Sequence, residues 1–118
     1  MGPGVPILRS FSKAEARDFH LRYLGFEVVF EHRFAQDMPL YMEVRRGDCV
    51  LHLSEHHGDA APGAAVRIGV PDARAFLEAL RARGHPRLKP GLAEQPWGLH
   101  EVAVPDPFGN RLVFWSPA

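Results

Sequence analysis

The chain spells out one order of elements twice. Phe19 and Gly25 of the first half return as Phe76 and Gly84, 57 and 59 residues further on. Each pair marks the same event, an apolar helix stripe ended by a glycine. In the first half, residues 5–9 read as a short apolar strand. Ser12 then opens a helix, with Glu15 three residues on in the capping-box position. Ala16, Phe19, Tyr23 and Leu24 form the helix stripe. Residues 26–34 alternate Phe26, Val28 and Phe30 against Glu27 and Glu31, the pattern of a half-buried strand. Strands over 40–44 and 49–53 flank a hairpin turn at Arg46-Gly47-Asp48. The second half repeats this order. A strand at 64–70 leads to a helix capped by Asp72 with Phe76, Leu77 and Leu80 inward, and a weaker extended piece follows at 85–88. Strands at 99–104 and 111–115 surround the turn Asp106-Pro107-Phe108-Gly109.

At 118 residues this is one domain of two βαβββ modules, about 5–55 and 64–116. The polar, Gly- and Pro-bearing residues 56–63 serve as linker. The class is α+β, with each module a cup-shaped half-shell of mixed sheet and its helix outside. Fourteen basic and fourteen acidic side chains cancel, which argues against nucleic acid or an anionic membrane as partner. Cys49 has no second cysteine to pair with, so packing must hold the fold. The first ten residues lack the basic and apolar regions of a secretory signal, and no apolar run reaches membrane-spanning length. The expectation is a cytoplasmic protein. Two half-shells with open strand edges also predict a homodimer.

The helix end Phe19-His20-Leu21-Arg22-Tyr23-Leu24-Gly25-Phe26 and the closing Asp106-Pro107-Phe108-Gly109-Asn110-Arg111 carry a resemblance. Over residues 5–116 the chain resembles the vicinal-oxygen-chelate superfamily of glyoxalase I, extradiol dioxygenases, and fosfomycin- and bleomycin-resistance proteins. Glu94-Gln95-Pro96-Trp97-Gly98, just before the seventh strand, is similar to the bleomycin-resistance branch. Metalloenzymes of this superfamily place ligands on the first, fourth, fifth and eighth strands. Aligned from the first helix and the last turn, those positions fall on Val5, His52, Ala65 and Val113. Valine and alanine cannot ligate, and one imidazole falls short of the three protein ligands of a catalytic zinc. The resemblance therefore implies a protein without metal or other cofactor that sequesters a drug-like molecule, such as a bleomycin-type antibiotic, in clefts of a dimer. The alternative is a metal-dependent lyase, isomerase or dioxygenase with nonstandard ligands, for which His52, Glu55 and His56 are the candidates.

Trp97 stands in a Pro- and Gly-flanked loop, outside any periodic core face, and offers a flat wall for an aromatic or cationic ligand. The resemblance gives it that role, because the matching tryptophan lines the drug cleft of bleomycin-binding proteins. Phe34 is the candidate opposite wall, and His52 and Glu101 the candidate hydrogen-bonding groups. Asp37, Glu43 and Glu94 would add negative character to the cleft. Arg67 points the other way, toward an anionic or carbonyl-bearing ligand, and zero net charge fits a cationic drug poorly. Trp115 reads as core or cleft floor, Cys49 as a small core residue. Ser54 has no glycine elbow or orienting acid, so no nucleophilic triad is read here.

Overall fold

A computed structural model describes all residues, 1–118. Its first module runs β1 (Ile7–Arg9), α1 (Lys13–Arg17), β2 (Glu27–His32), β3 (Tyr41–Arg46) and β4 (Cys49–Ser54). The second runs β5 (Ala65–Gly69), α2 (Ala73–Arg83), β6 (Ala93–Gln95), β7 (Leu99–Pro105) and β8 (Arg111–Pro117). Each module builds one four-stranded mixed sheet, in the orders β1-β4-β3-β2 and β5-β8-β7-β6. In both, the first strand lies parallel to the last, and the remaining neighbours are antiparallel. The repeated element order thus becomes a repeated topology. No helix is long and apolar enough to cross a membrane.

Ser12 caps α1 by accepting from the Glu15 amide at 3.2 Å, and Asp72 caps α2 by accepting from the Arg74 and Ala75 amides. The first helix then departs from a simple α-helix. From Asp18 to Tyr23 it widens into a π turn, in which the Leu24 amide reaches back five residues to the Phe19 carbonyl at 3.0 Å. Gly25 ends it at φ 80°, where a Cβ would also lie 3.2 Å from the Arg83 guanidinium. Positive φ and close approach together require glycine there.

The stretch 85–88 does not form the expected extended piece. His85 Nδ1 accepts from the Arg87 and Leu88 amides, which folds these residues into a local turn. The sixth strand forms instead at Ala93–Gln95, inside the Glu94–Gly98 motif, and pairs with β7.

One core of 20 residues runs through both modules and includes Phe19, Tyr23, Leu51, Leu77 and Phe114. The modules are also sewn by reciprocal bonds. Arg22 donates to the Gly84 carbonyl at the end of α2, and Arg83 donates to the Tyr23 carbonyl at the end of the first helix, both at 3.0 Å. Helix ends leave carbonyls without partners, and here the other module's arginine supplies the donor. The Asp106–Asn110 turn has a structural reason of its own. Asp106 accepts from the Phe108 and Asn110 amides, and the Asn110 side chain donates to the Arg9 carbonyl at 2.9 Å.

Side-chain alternation sorts each sheet into two faces. On the first sheet, Leu8, Met42, Val44, Leu51 and Leu53 go to the core. Ile7, Glu43 and His52 lie in one cross-strand row on the helix-free face. On the second, Val102, Val104, Leu112 and Phe114 are core. Arg67, Glu101, Ala103, Val113 and Trp115 occupy positions of opposite parity.

Candidate functional site

The sequence candidates separate into two groups, one on each helix-free face. On the first sheet His52 stands on β4 with Glu43 beside it on β3. Its Nε2 lies 2.8 Å from Glu43 Oε1, and its Nδ1 lies 2.6 Å from the Tyr41 hydroxyl. An ionised carboxylate only accepts, so Nε2 carries a proton; in a neutral ring Nδ1 is then bare and accepts from the Tyr41 hydroxyl. Burial, with Asp59 and Glu43 adding negative potential, raises the pKa of Tyr41 above the usual tyrosine value and keeps the hydroxyl protonated. Phe30 covers the group, stacked on Tyr41 at 6.4 Å and edge-on to His52 at 5.9 Å.

The metal candidates do not converge. Both ring nitrogens of His52 are already bonded. Glu55 accepts from the Leu40 amide at 3.1 Å, and the His56 ring packs edge-on to Phe34. No three His, Cys, Asp or Glu side chains stand close enough to hold an ion. At the superfamily ligand positions, Val5 precedes β1, Ala65 pairs with Arg111, and Val113 pairs with Arg67. This donor set does not fit a divalent metal. Phe34 lies beyond the end of β2, in the loop after it, 77% exposed and edge-on to His32 at 4.8 Å.

The second sheet gathers Arg67, Glu101 and Trp97. Glu101 is only 8% exposed and takes the Arg67 guanidinium at 2.7 Å and the Gln95 amide at 3.2 Å. The Arg67 hydrogen bond is the main reason its carboxyl lies below the usual carboxylate range, with Gln95 and Trp97 adding to it. Trp97 itself, 64% exposed, stands in the turn between β6 and β7. Trp115 pairs with Glu101 in the sheet and lies against Gly69, where a Cβ would come within 3.2 Å of its ring.

Over this face lies a cavity of about 570 Å³. Its floor is Ala103 and Val113, and its rim carries Arg67, Arg87, Lys89 and Arg111 around the one carboxylate, Glu101. His52, Tyr41, Glu43, Phe34 and Trp97 do not line it. Three of the four cations were missed in the sequence. Strand parity with Val113 was a usable signal for Arg111, whereas Arg87 and Lys89 sit in an irregular loop that has no periodicity to read.

Comparison with known proteins places this geometry. A bleomycin-binding protein solved with bleomycin superposes with a TM-score of 0.72 at 23% identity, covering 100% of both chains. The bleomycin resistance determinant encoded on transposon Tn5 gives 0.77 at 24% identity, over 99% of this chain and 98% of that one. A member of the glyoxalase/bleomycin resistance protein/dioxygenase superfamily from Sphaerobacter thermophilus gives 0.69 at 20%, over 98% and 97%. Identities this low speak for the shared fold. A search of curated protein sequences finds no match. The glyoxalase superfamily family model matches residues 3–117, almost the whole repeat. With its paired βαβββ modules and that match, the chain belongs to the glyoxalase superfamily.

Proposed function

We propose that this protein binds a small molecule without transforming it, as a cytoplasmic homodimer whose clefts are lined by the helix-free faces of its sheets. The observation that carries this reading is the donor set at the superfamily ligand positions. It leaves a single imidazole, His52, with both nitrogens engaged by Tyr41 and Glu43. Metal chemistry would require breaking one of those bonds and recruiting ligands that neither Ala65 nor Val113 can supply. A cavity of about 570 Å³ suits capture instead, and falls in the ordinary range for small-molecule sites; the exposed Trp97 is not in its lining and is tied to it through Glu101. The likeness to a bleomycin-binding protein solved with its drug supports the same reading. Trp97 would stack a planar group, with Arg67 and Glu101 as polar contacts of the second sheet.

The dimer is supported by apolar side chains left open on the first module. Ile7, Phe30 and Phe34 are each more than a third exposed. A contiguous exposed apolar patch marks an association surface, and Ile7 and Phe30 both lie next to His52. A second copy would cover them and bring a first-sheet face toward the cavity of the second.

Fluorescence titration of Trp97 against a panel of small molecules that includes bleomycin tests binding, with Trp97→Phe as control. Saturation at submicromolar concentration, roughly −9 kcal/mol, is expected of a sequestering protein. Elemental analysis of protein purified without added metal tests the other half. Stoichiometric divalent metal that disappears in His52→Ala would overturn this reading in favour of a metal-dependent enzyme.

A further inference from the structure

The charge around the second-sheet cavity is far from the zero of the whole chain. Arg67, Arg87, Lys89 and Arg111 face it against Glu101 alone. Arg67 is matched by Glu101 at 2.7 Å. Every other ion pair of the chain lies elsewhere, so Arg87, Lys89 and Arg111 have no carboxylate within 4.0 Å. The rim therefore holds a surplus of three positive charges around one cavity. Like charges brought together repel, and a bound anion relieves that repulsion.

Glu101 is not free to recruit a cation. Its oxygens already accept from Arg67 and Gln95, and Trp97 adds to the same stabilisation. A cationic ligand would have to compete with an ion pair in place and approach three unpaired positive groups. Two of those three are arginines, whose planar forks match carboxylate and phosphate oxygens. The floor of Ala103 and Val113 is apolar and made of small side chains, which leaves room for an organic body.

We propose that this cavity takes a small organic anion with two or three negative charges, either a phosphate ester or a polycarboxylate. The assignment rests on the small-molecule-binding reading above and names the ligand class for that site. The negative groups meet Arg87, Lys89 and Arg111 at the rim, and the carbon body lies over Ala103 and Val113. The ligand class is thus opposite in charge to a cationic drug.

Calorimetric titration at low ionic strength tests it with four probes: glucose 6-phosphate, citrate, uncharged glucose and bleomycin. Saturable binding of glucose 6-phosphate or citrate, absent with glucose and weakened by salt, is the expected result. Glucose 6-phosphate alone marks a phosphate site, and citrate alone a carboxylate site. The double variant Lys89→Gln, Arg111→Gln should weaken that binding about tenfold, since each lost exposed charge costs roughly threefold. Far-UV circular dichroism and thermal melting of the variant check that it folds. If it does not, Arg87→Gln alone carries the test, with roughly a threefold loss expected. Binding of bleomycin with no binding of either anion overturns the anion assignment and leaves small-molecule capture standing. Silence from all four probes overturns both. A rim whose substitution dissociates a dimer, with no anion bound, is an interface between copies and also overturns the proposal.

Discussion

Arg67 and Glu101, from strands β5 and β7 that do not touch, meet at 2.7 Å across the intervening β8. The pair sets the charge of the cavity beside it. Replacing Glu101 by glutamine keeps the shape and releases Arg67, raising the positive surplus at the rim from three to four. Binding of an anionic probe such as citrate should tighten about threefold to tenfold at low salt, read by calorimetry. Weaker binding would show that the Arg67–Glu101 pair, and not the positive surplus at the rim, holds the ligand.

His20 is fully buried in the π turn, between Phe19 and Phe26, and neither ring nitrogen has a partner. Burial pushes its pKa down to about 3, from the ordinary value of 6.5. The unfolded chain therefore binds a proton below pH 6.5 that the folded chain refuses. Stability rises with pH through this window and falls as pH drops from 6.5 toward 3, by about 1.4 kcal/mol per unit at most. Near pH 5 the loss from this group is roughly 2 kcal/mol. His20→Leu should add about 1–2 kcal/mol at neutral pH by removing the unpaired nitrogens, and should flatten the slope. Urea midpoints of both proteins at pH 7 and pH 5 measure this. Equal slopes would sink the assignment.

Tyr41, His52 and Glu43 form a chain of bonds in which the carboxylate fixes a proton on Nε2, and a neutral ring leaves Nδ1 to accept. Nitrogen-15 NMR of the native protein should therefore show the proton on His52 Nε2, with Nδ1 unprotonated. Tyr41→Phe removes the donor to Nδ1 and should cost about 1 kcal/mol in chemical denaturation, with the fold retained. A native spectrum with the proton on Nδ1 would contradict the bonding described.

Asn110 ties the last turn to the first strand, 101 residues away, through the Arg9 carbonyl. Asn110→Ala removes that part-buried bond and a buried one to the Asp106 carboxylate. The expected loss is roughly 2–3 kcal/mol, seen as a lowered urea midpoint. A change within half a kcal/mol would mean that water replaces the amide.

Capping residues, glycine stops and turn chemistry act over a few neighbours, so the repeat, both helices and seven of the eight strands could be read along the chain. The exceptions have local causes that pattern does not reveal. His85 diverts residues 85–88 into a turn through its own ring nitrogen, and the first helix widens between Asp18 and Tyr23. Site residues fared differently. His52 was visible as a histidine on a strand, but its engagement by Tyr41 and Glu43 depends on the register of β3 against β4.

Two βαβββ modules, a core face for each helix, and a superfamily ligand set reduced to His52 among Val5, Ala65 and Val113 are legible along the chain. These follow from local chemistry and from residue identity at fixed positions. Folding brings Arg87 and Lys89, from an irregular loop, to Arg67 and Arg111 around one cavity, a meeting that no local pattern encodes. A net charge of zero hides such a cluster, because composition sums charges while the electrostatic field depends on the distances between them.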